Sequence, residues 1–280
     1  MVGWSLRSRV LRSAREAGAE AVAVAYHDYE TRTEWSYNGD AWFHAASTMK
    51  VPVLIALYAA MAEGRLQPES RVHVRNRFLS VAGGEPFRIE ASRDANSEVH
   101  ARIGRTMRVR ELARHMIVTS SNLATNVLVD LIGLEEIRRM LKELGLEDGI
   151  QVHRGVEDER AFQQGISNRV TAHGLLRALR LIEERAALPP EASEDMLEIL
   201  HAQEFNSGIP AGLPGNARVA HKTGEISTVA HDAGLIYLPE RQPYVLVILT
   251  SWERERGGRQ DTIARISQAV HDELTEVDDD

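Results

Sequence analysis

The stretch "AWFHAASTMKVPVLIALY", residues 41–58, sets Ser47 and Lys50 three positions apart at the head of an apolar run that continues to Ala62. Only three of the 33 basic residues are lysines, Lys50, Lys142 and Lys222, so arginine supplies the ordinary surface charge. Arginine cannot shed its proton, whereas a desolvated lysine can. Lysines kept in such a chain are therefore candidates for proton transfer. Pro52 lacks an N–H and fits only the first turn of a helix, which predicts a helix from Ser47 to Gly64. Residues i and i+3 of that helix would be neighbours, with the Ser47 hydroxyl near free amides at its N-terminus. Lys50, flanked by Met49, Val51 and Val53, would be partly desolvated, and its neutral amine could take the serine's proton.

Outward from this helix the pattern changes twice. Leu6, Val10 and Leu11 predict an amphipathic first helix. "AVAVAYHDY" (21–29) and "RTEWSYN" (32–38) read as a hairpin. Residues 77–106 are polar and aperiodic and read as a long excursion. Helical periodicity then covers 108–118, 121–132, 134–144, 171–187 and 193–203. Strand signals return in "ARVAHKT", "AGLIYL" and "YVLVILTSW", a last helix spans about 259–275, and the acidic end "EVDDD" reads as frayed. Strands from both ends share one antiparallel sheet most simply, flanked by the terminal helices, with an all-helical lobe on its other side. This α/β plan divides the chain into 1–45 with 205–280 as a sheet domain and 46–204 as a mostly helical one. A site is expected in the cleft between them.

Composition narrows the chemistry. With no cysteine, disulfides and thiolate catalysis are excluded. A formal charge of −8 argues against nucleic acid as a partner. The longest apolar run, Val51 to Ala62, is too short to span a membrane. "MVGWSLRSRVLRSAREAG" has no continuous apolar run of the signal-peptide kind. The eleven histidines lack the HExxH spacing of a zinc site.

Two further clusters complete the pattern. "TSSN" (119–122) breaks two helices, and Ser120 or Ser121 can cap the second. Lys222-Thr223-Gly224 ends a strand, where a glycine admits close backbone approach. Ser47-x-x-Lys50, then Ser120-x-Asn122, then Lys222-Thr223-Gly224, in this order, resembles the penicillin-recognising serine hydrolases, the class A β-lactamases above all. "MRVRELARHMIVTSSNLATNVLVDLIG", "GIPAGLPGNARVAHKTG" and "HDAGLIYLP" carry the likeness across most of the chain.

The resemblance implies a serine hydrolase that cleaves a β-lactam amide through an acyl-serine, with no cofactor and no metal. Ser47 would be the nucleophile and Lys50 its base. Ser120 would pass a proton to the leaving nitrogen. Asn122, Lys222, Thr223, Gly224 and Glu225 would bind the substrate, the amides of Ser47 and Glu225 forming the oxyanion hole. Glu157 would activate the deacylating water, with Asp158 and Glu159 as competitors. The alternative reading of these acids is a solvated loop with an Arg154–glutamate salt link. Ser121 stands where the family has a bracing aspartate, so a brace is expected from elsewhere. Glu225 is bulky and acidic where the family prefers a small residue. The alternative functions are a penicillin-binding DD-peptidase or esterase with slow deacylation, or a receptor for β-lactams or peptidoglycan fragments. The resemblance further implies a small-molecule acyl donor and a periplasmic or secreted location; the sequence leaves the oligomeric state open, with a monomer favoured.

Overall fold

The structure is a computed structural model that describes residues 5–95, 97–254 and 257–275; the acidic end at 276–280 lies outside them. Helix α1 (Leu6–Ala17) starts where the Ser5 hydroxyl accepts from the Ser8 amide, and it stops at the left-handed Gly18. Strands β1 (Ala21–Asp28) and β2 (Thr33–Tyr37) form the expected hairpin. After β3 (Phe43–His44) comes a difference from the sequence reading. Ser47 lies in a 3-10 turn, Ala46–Met49, and only at Lys50 does α2 (Lys50–Ala62) take over. Ten of the thirteen residues of α2 are buried, as expected for a helix apolar on every side.

The 77–106 excursion is not a plain loop. Around it lie β4 (Arg71–His73), β5 (Phe78–Leu79), β6 (Pro86–Phe87), the one-turn α3 (Ser97–His100) and β7 (Thr106–Arg108). Asn76 gathers the segment by donating to the Ile89 carbonyl and accepting from its amide, both at 2.8 Å. These pieces are two to four residues long, too short to carry a periodic signal. Next come α4 (Val109–Val118), α5 (Asn122–Ile132), α6 (Leu134–Glu143), β8 (Ile150–Gln151), α7 (Glu159–Gln163), β9 (Arg169–Val170), α8 (Ala172–Glu183) and α9 (Pro190–His201). The chain closes with β10 (Arg218–Ile226), β11 (Val229–Tyr237), β12 (Tyr244–Ser251) and α10 (Arg259–Thr275).

One antiparallel sheet, ordered β10-β11-β12-β1-β2, takes strands from both ends of the chain. Side chains alternate between its faces. Val22, Val24, Leu246 and Ile248 meet Leu6 and Val10 of α1 and Ile263, Ile266 and Val270 of α10. Ala23, Ala25, Val245, Val247 and Leu249 face the other way, joining a core with α2 and α8. The fold is thus α/β, with both terminal helices on one face and a helical layer on the other. No helix among the described residues is long and apolar enough to cross a membrane.

Candidate active site

Strand β10 is an outer strand of the sheet, and its register sets one wall of the site. Ile226 pairs with Val229 around a two-residue turn, so 226 and 224 are the hydrogen-bonded positions of the ladder. The amide of Glu225 therefore points away from β11, over the open edge. The 3-10 turn packs there. A Cβ on Gly224 would sit 3.0 Å from the Thr48 amide nitrogen and 3.1 Å from that of Ser47, so glycine is what admits the contact. Backbone amides of Ser47 and Glu225 are thereby brought to the same edge.

The opposite wall is the break between α4 and α5. Ser120 has a positive φ of 56°, Ala46 one of 45° and Glu157 one of 60°. Three non-glycine residues in the left-handed region around one cleft are held there by their surroundings. Lys50 Nζ, fully buried, donates to the Ser120 carbonyl at 2.6 Å, to Ser120 Oγ at 3.0 Å and to Asn122 Oδ1 at 2.9 Å. Burial, with the nearby charge of Lys222, holds the pKa of Lys50 well below the ordinary lysine value, against the opposing pull of Asp94 and Glu157. The direct Ser47–Lys50 hydrogen bond expected from their spacing is not among these contacts. The amine's three donors are all taken by the 120–122 turn across the cleft.

Asn122 Nδ2 donates to Glu157 Oε1 at 2.8 Å, so one side chain links Lys50 to the acid. Burial raises the Glu157 pKa, opposed by the Asn122 hydrogen bond and by Arg93, whose Nε lies 3.9 Å from Oε2. The two competing acids are differently employed. Asp158 is buried and accepts from Ser80 Oγ and from the amides of Val81 and Ala161, as the cap of α7. Glu159 is exposed and lies 3.7 Å from Arg93. The Arg154–glutamate salt link is not formed. Arg154 donates to the carbonyls of Ile166 and Gly155, with its guanidinium over the Phe162 ring, and closes the 154–166 loop on itself.

Lys222 is fully buried beneath Thr223, whose carbonyl accepts from Nζ at 2.8 Å. Burial pushes its pKa down to about 7, against the charge of Asp232. Ser47, Asn122, Glu157 and Glu225 line a cleft of about 500 Å³ together with Arg93 and Asn168. A smaller hollow of about 270 Å³ adjoins it, lined by Ser47, Ser120, Asn122, Thr223 and Glu225. Lys50 and Lys222 lie below these surfaces. The eight residues given roles beside Ser47 in the sequence analysis thus gather around it, and the competitors Asp158 and Glu159 are engaged elsewhere.

Several neighbours were not legible in the sequence. His44 Nδ1 accepts from the Ala46 amide at 3.0 Å, and burial with Arg154 pushes its pKa down to about 4, which keeps the ring neutral. Asn168 Oδ1 accepts from the amides of His153 and Arg154, and its Nδ2 donates to the Arg154 carbonyl. Arg93 reaches both hollows from the excursion. Arg259, 5% exposed, ion-pairs with Glu225 and donates to the carbonyls of Ile226 and Ser227. The bulky acid at 225 is therefore neutralised from α10, where no short-range pattern would show it.

Comparison with known proteins agrees with the fold. Residues 5–274 match the family described as "Beta-lactamase enzyme family". The chain is 22% identical over 245 residues to β-lactamase VEB-1 of Pseudomonas aeruginosa, covering 84% of this chain and 78% of that one. A β-lactamase from Sphaerobacter thermophilus superposes with a TM-score of 0.82 at 24% identity, over 99% of both chains. A PBP-A mutant, solved as an acyl-enzyme complex with penicillin-G, superposes with a TM-score of 0.83 at 25% identity, over 97% of this chain and 96% of that one.

Proposed function

The chain belongs to the β-lactamase enzyme family, and from that premise we propose that it is a serine hydrolase that opens the β-lactam amide through an acyl-Ser47 intermediate. The observation that carries the reading is the single network Ser120–Lys50–Asn122–Glu157, which sits beside Ser47 at the edge of β10. It supplies a titratable amine, a hydroxyl and a carboxylate in one cleft.

In this reading Ser47 Oγ attacks the lactam carbonyl carbon, and the developing oxyanion is held by the amides of Ser47 and Glu225. One such donor is worth about 3 kcal/mol in the transition state. The neutral form of Lys50 keeps two of its three hydrogen bonds and offers a lone pair in place of the third. It receives the serine's proton. As the C–N bond breaks, Ser120 gives its proton to the leaving nitrogen and recovers one from Lys50. Water then attacks the ester and Glu157 accepts its proton; as the acyl–Ser47 bond breaks, that proton passes from Glu157 to Ser47 Oγ, which releases the ring-opened acid and restores both groups. Lys222 and Thr223 hold the substrate's carboxylate, and Asn122 its side-chain amide.

The raised pKa of Glu157 supports the role of base, since a carboxylate too acidic would be a poor proton acceptor. Asp158 is excluded from that role by its three donors, and Glu159 by its exposure. Likeness to PBP-A favours a second reading, a penicillin-binding protein that acylates and releases slowly. Intact-mass measurement after brief exposure to benzylpenicillin separates the two. A short-lived adduct in the wild type, a persistent one in Glu157→Gln and none in Ser47→Ala support the hydrolase. An adduct equally persistent in the wild type and in Glu157→Gln supports slow release. An adduct in Ser47→Ala refutes the nucleophile.

A further inference from the structure

We propose that Asp94 is a positioning residue for this site: its carboxylate, carried by the 77–106 excursion, clamps the 120–122 turn and so fixes the acceptors that hold Lys50. The proposal rests on the reading of Ser47 and Lys50 as the acylating pair.

The carboxylate of Asp94 is shut off from solvent. Oδ1 accepts from the Asn122 amide at 3.1 Å, and Oδ2 from Ser121 Oγ and the Leu123 amide, both at 3.0 Å. These are free donors at the start of α5, where an anion also meets the positive end of the helix dipole. Ser121 is bonded on both sides, because its Oγ accepts from the Ala124 amide at 3.2 Å. His100 Nε2 lies 3.2 Å from Oδ2, at an angle that makes no hydrogen bond.

The turn so gripped is the one that supplies every acceptor of Lys50. Ser120 gives its carbonyl and hydroxyl, and Asn122 gives Oδ1. Ser120 holds its left-handed backbone next to the clamped residues, and a clamp on the following amides keeps that conformation from relaxing. Arg93, immediately before Asp94, borders both hollows, so the clamping segment is also a wall of the cleft. This is the brace that Ser121 cannot itself provide. It comes from a residue distant in sequence, which makes the geometry of the turn depend on the docking of the excursion.

A plain helix cap would change stability alone, whereas a positioning residue must alter the surroundings of Lys50. The protein's three lysines make that measurable. With ε-13C-lysine labelling, Lys50, Lys142 and Lys222 give three resonances, assigned by lysine-to-arginine substitution. The charged groups facing Lys50 are Asp94 from the excursion, Glu157 from the 154–166 loop and Lys222 from β10. Asp94→Asn removes an anion and moves the Lys50 midpoint down by charge alone, so Ser121→Ala, which keeps the anion and removes one of its three bonds, is measured beside it and is expected to shift the Lys50 resonance as well. Acylation by benzylpenicillin is expected to slow by about tenfold to a hundredfold. A folded Asp94→Asn protein with an unmoved Lys50 resonance and wild-type acylation overturns the proposal. If Asp94→Asn does not fold, Ser121→Ala decides by itself. A shift of the Lys50 resonance then supports the clamp, and an unchanged one overturns it. A wild type that benzylpenicillin does not acylate would overturn the functional reading, while the Lys50 resonance would still decide the clamp.

Discussion

Replacing Arg259 by alanine tests how an acid is tolerated beside the binding site for an anion. Arg259 is nearly buried, and its guanidinium serves the Glu225 carboxylate and the carbonyls of Ile226 and Ser227. Losing these charge-assisted bonds costs about 3 kcal/mol, reduced from the sum of three because Glu225 is 43% exposed and re-solvates. For a chain of 280 residues that lowers Tm by about 5 °C. The second consequence is electrostatic. Thr223 and Glu225 are two apart on β10, on one face and roughly 7 Å from each other. Two unit anions at that distance, with an effective dielectric of about 40, repel by about 1.2 kcal/mol. The KM for benzylpenicillin is therefore expected to rise about sevenfold in Arg259→Ala. Glu225→Ala in the same background should restore most of that binding without restoring Tm, since the orphaned carbonyls of the hairpin remain. Steady-state kinetics and thermal melts of the two single variants and the double variant complete the cycle. A KM increase of the same size with and without Glu225 would show that Arg259 acts through the hairpin's shape alone, and the charge argument would fail.

Two more outcomes follow from the same geometry. Lys222 is pushed down to about 7, so it is charged below that pH and neutral above it. The KM for benzylpenicillin, whose carboxylate is ionised throughout, should be level below about pH 7 and rise toward tenfold per unit above it. Lys222→Arg should flatten that profile, and a flat wild-type profile would refute the role of the charge. Gly224→Ala puts a methyl 3.0 to 3.1 Å from two amides of the 3-10 turn, so β10 and Ser47 must separate by a few tenths of an ångström. The acylation rate should fall about tenfold or more with little change in KM, because the strain falls on the oxyanion amides. Stopped-flow acylation would show this, and an unchanged rate would remove those amides from the mechanism.

The sequence by itself determined the long elements and their order. Apolar periodicity of 3.6 marked the amphipathic helices, and short apolar β-type runs marked all five sheet strands, because burial is written in consecutive residues. It determined the three motif clusters as well, since Ser47 with Lys50, Ser120 with Asn122, and Lys222 with Gly224 are each close along the chain. Tertiary structure decided which of these groups touch. The amine of Lys50 turned to the 120–122 turn and not to its helical neighbour, Arg154 took carbonyls in place of a carboxylate, and Arg93 took the acids of the 154–166 loop. The brace for the turn came from Asp94 and the counter-charge for Glu225 from Arg259. These partners lie tens of residues apart, and a buried charge accepts whichever satisfied neighbour the packed layers bring to it. Such choices are made by the closing of the whole chain, and no local spacing records them.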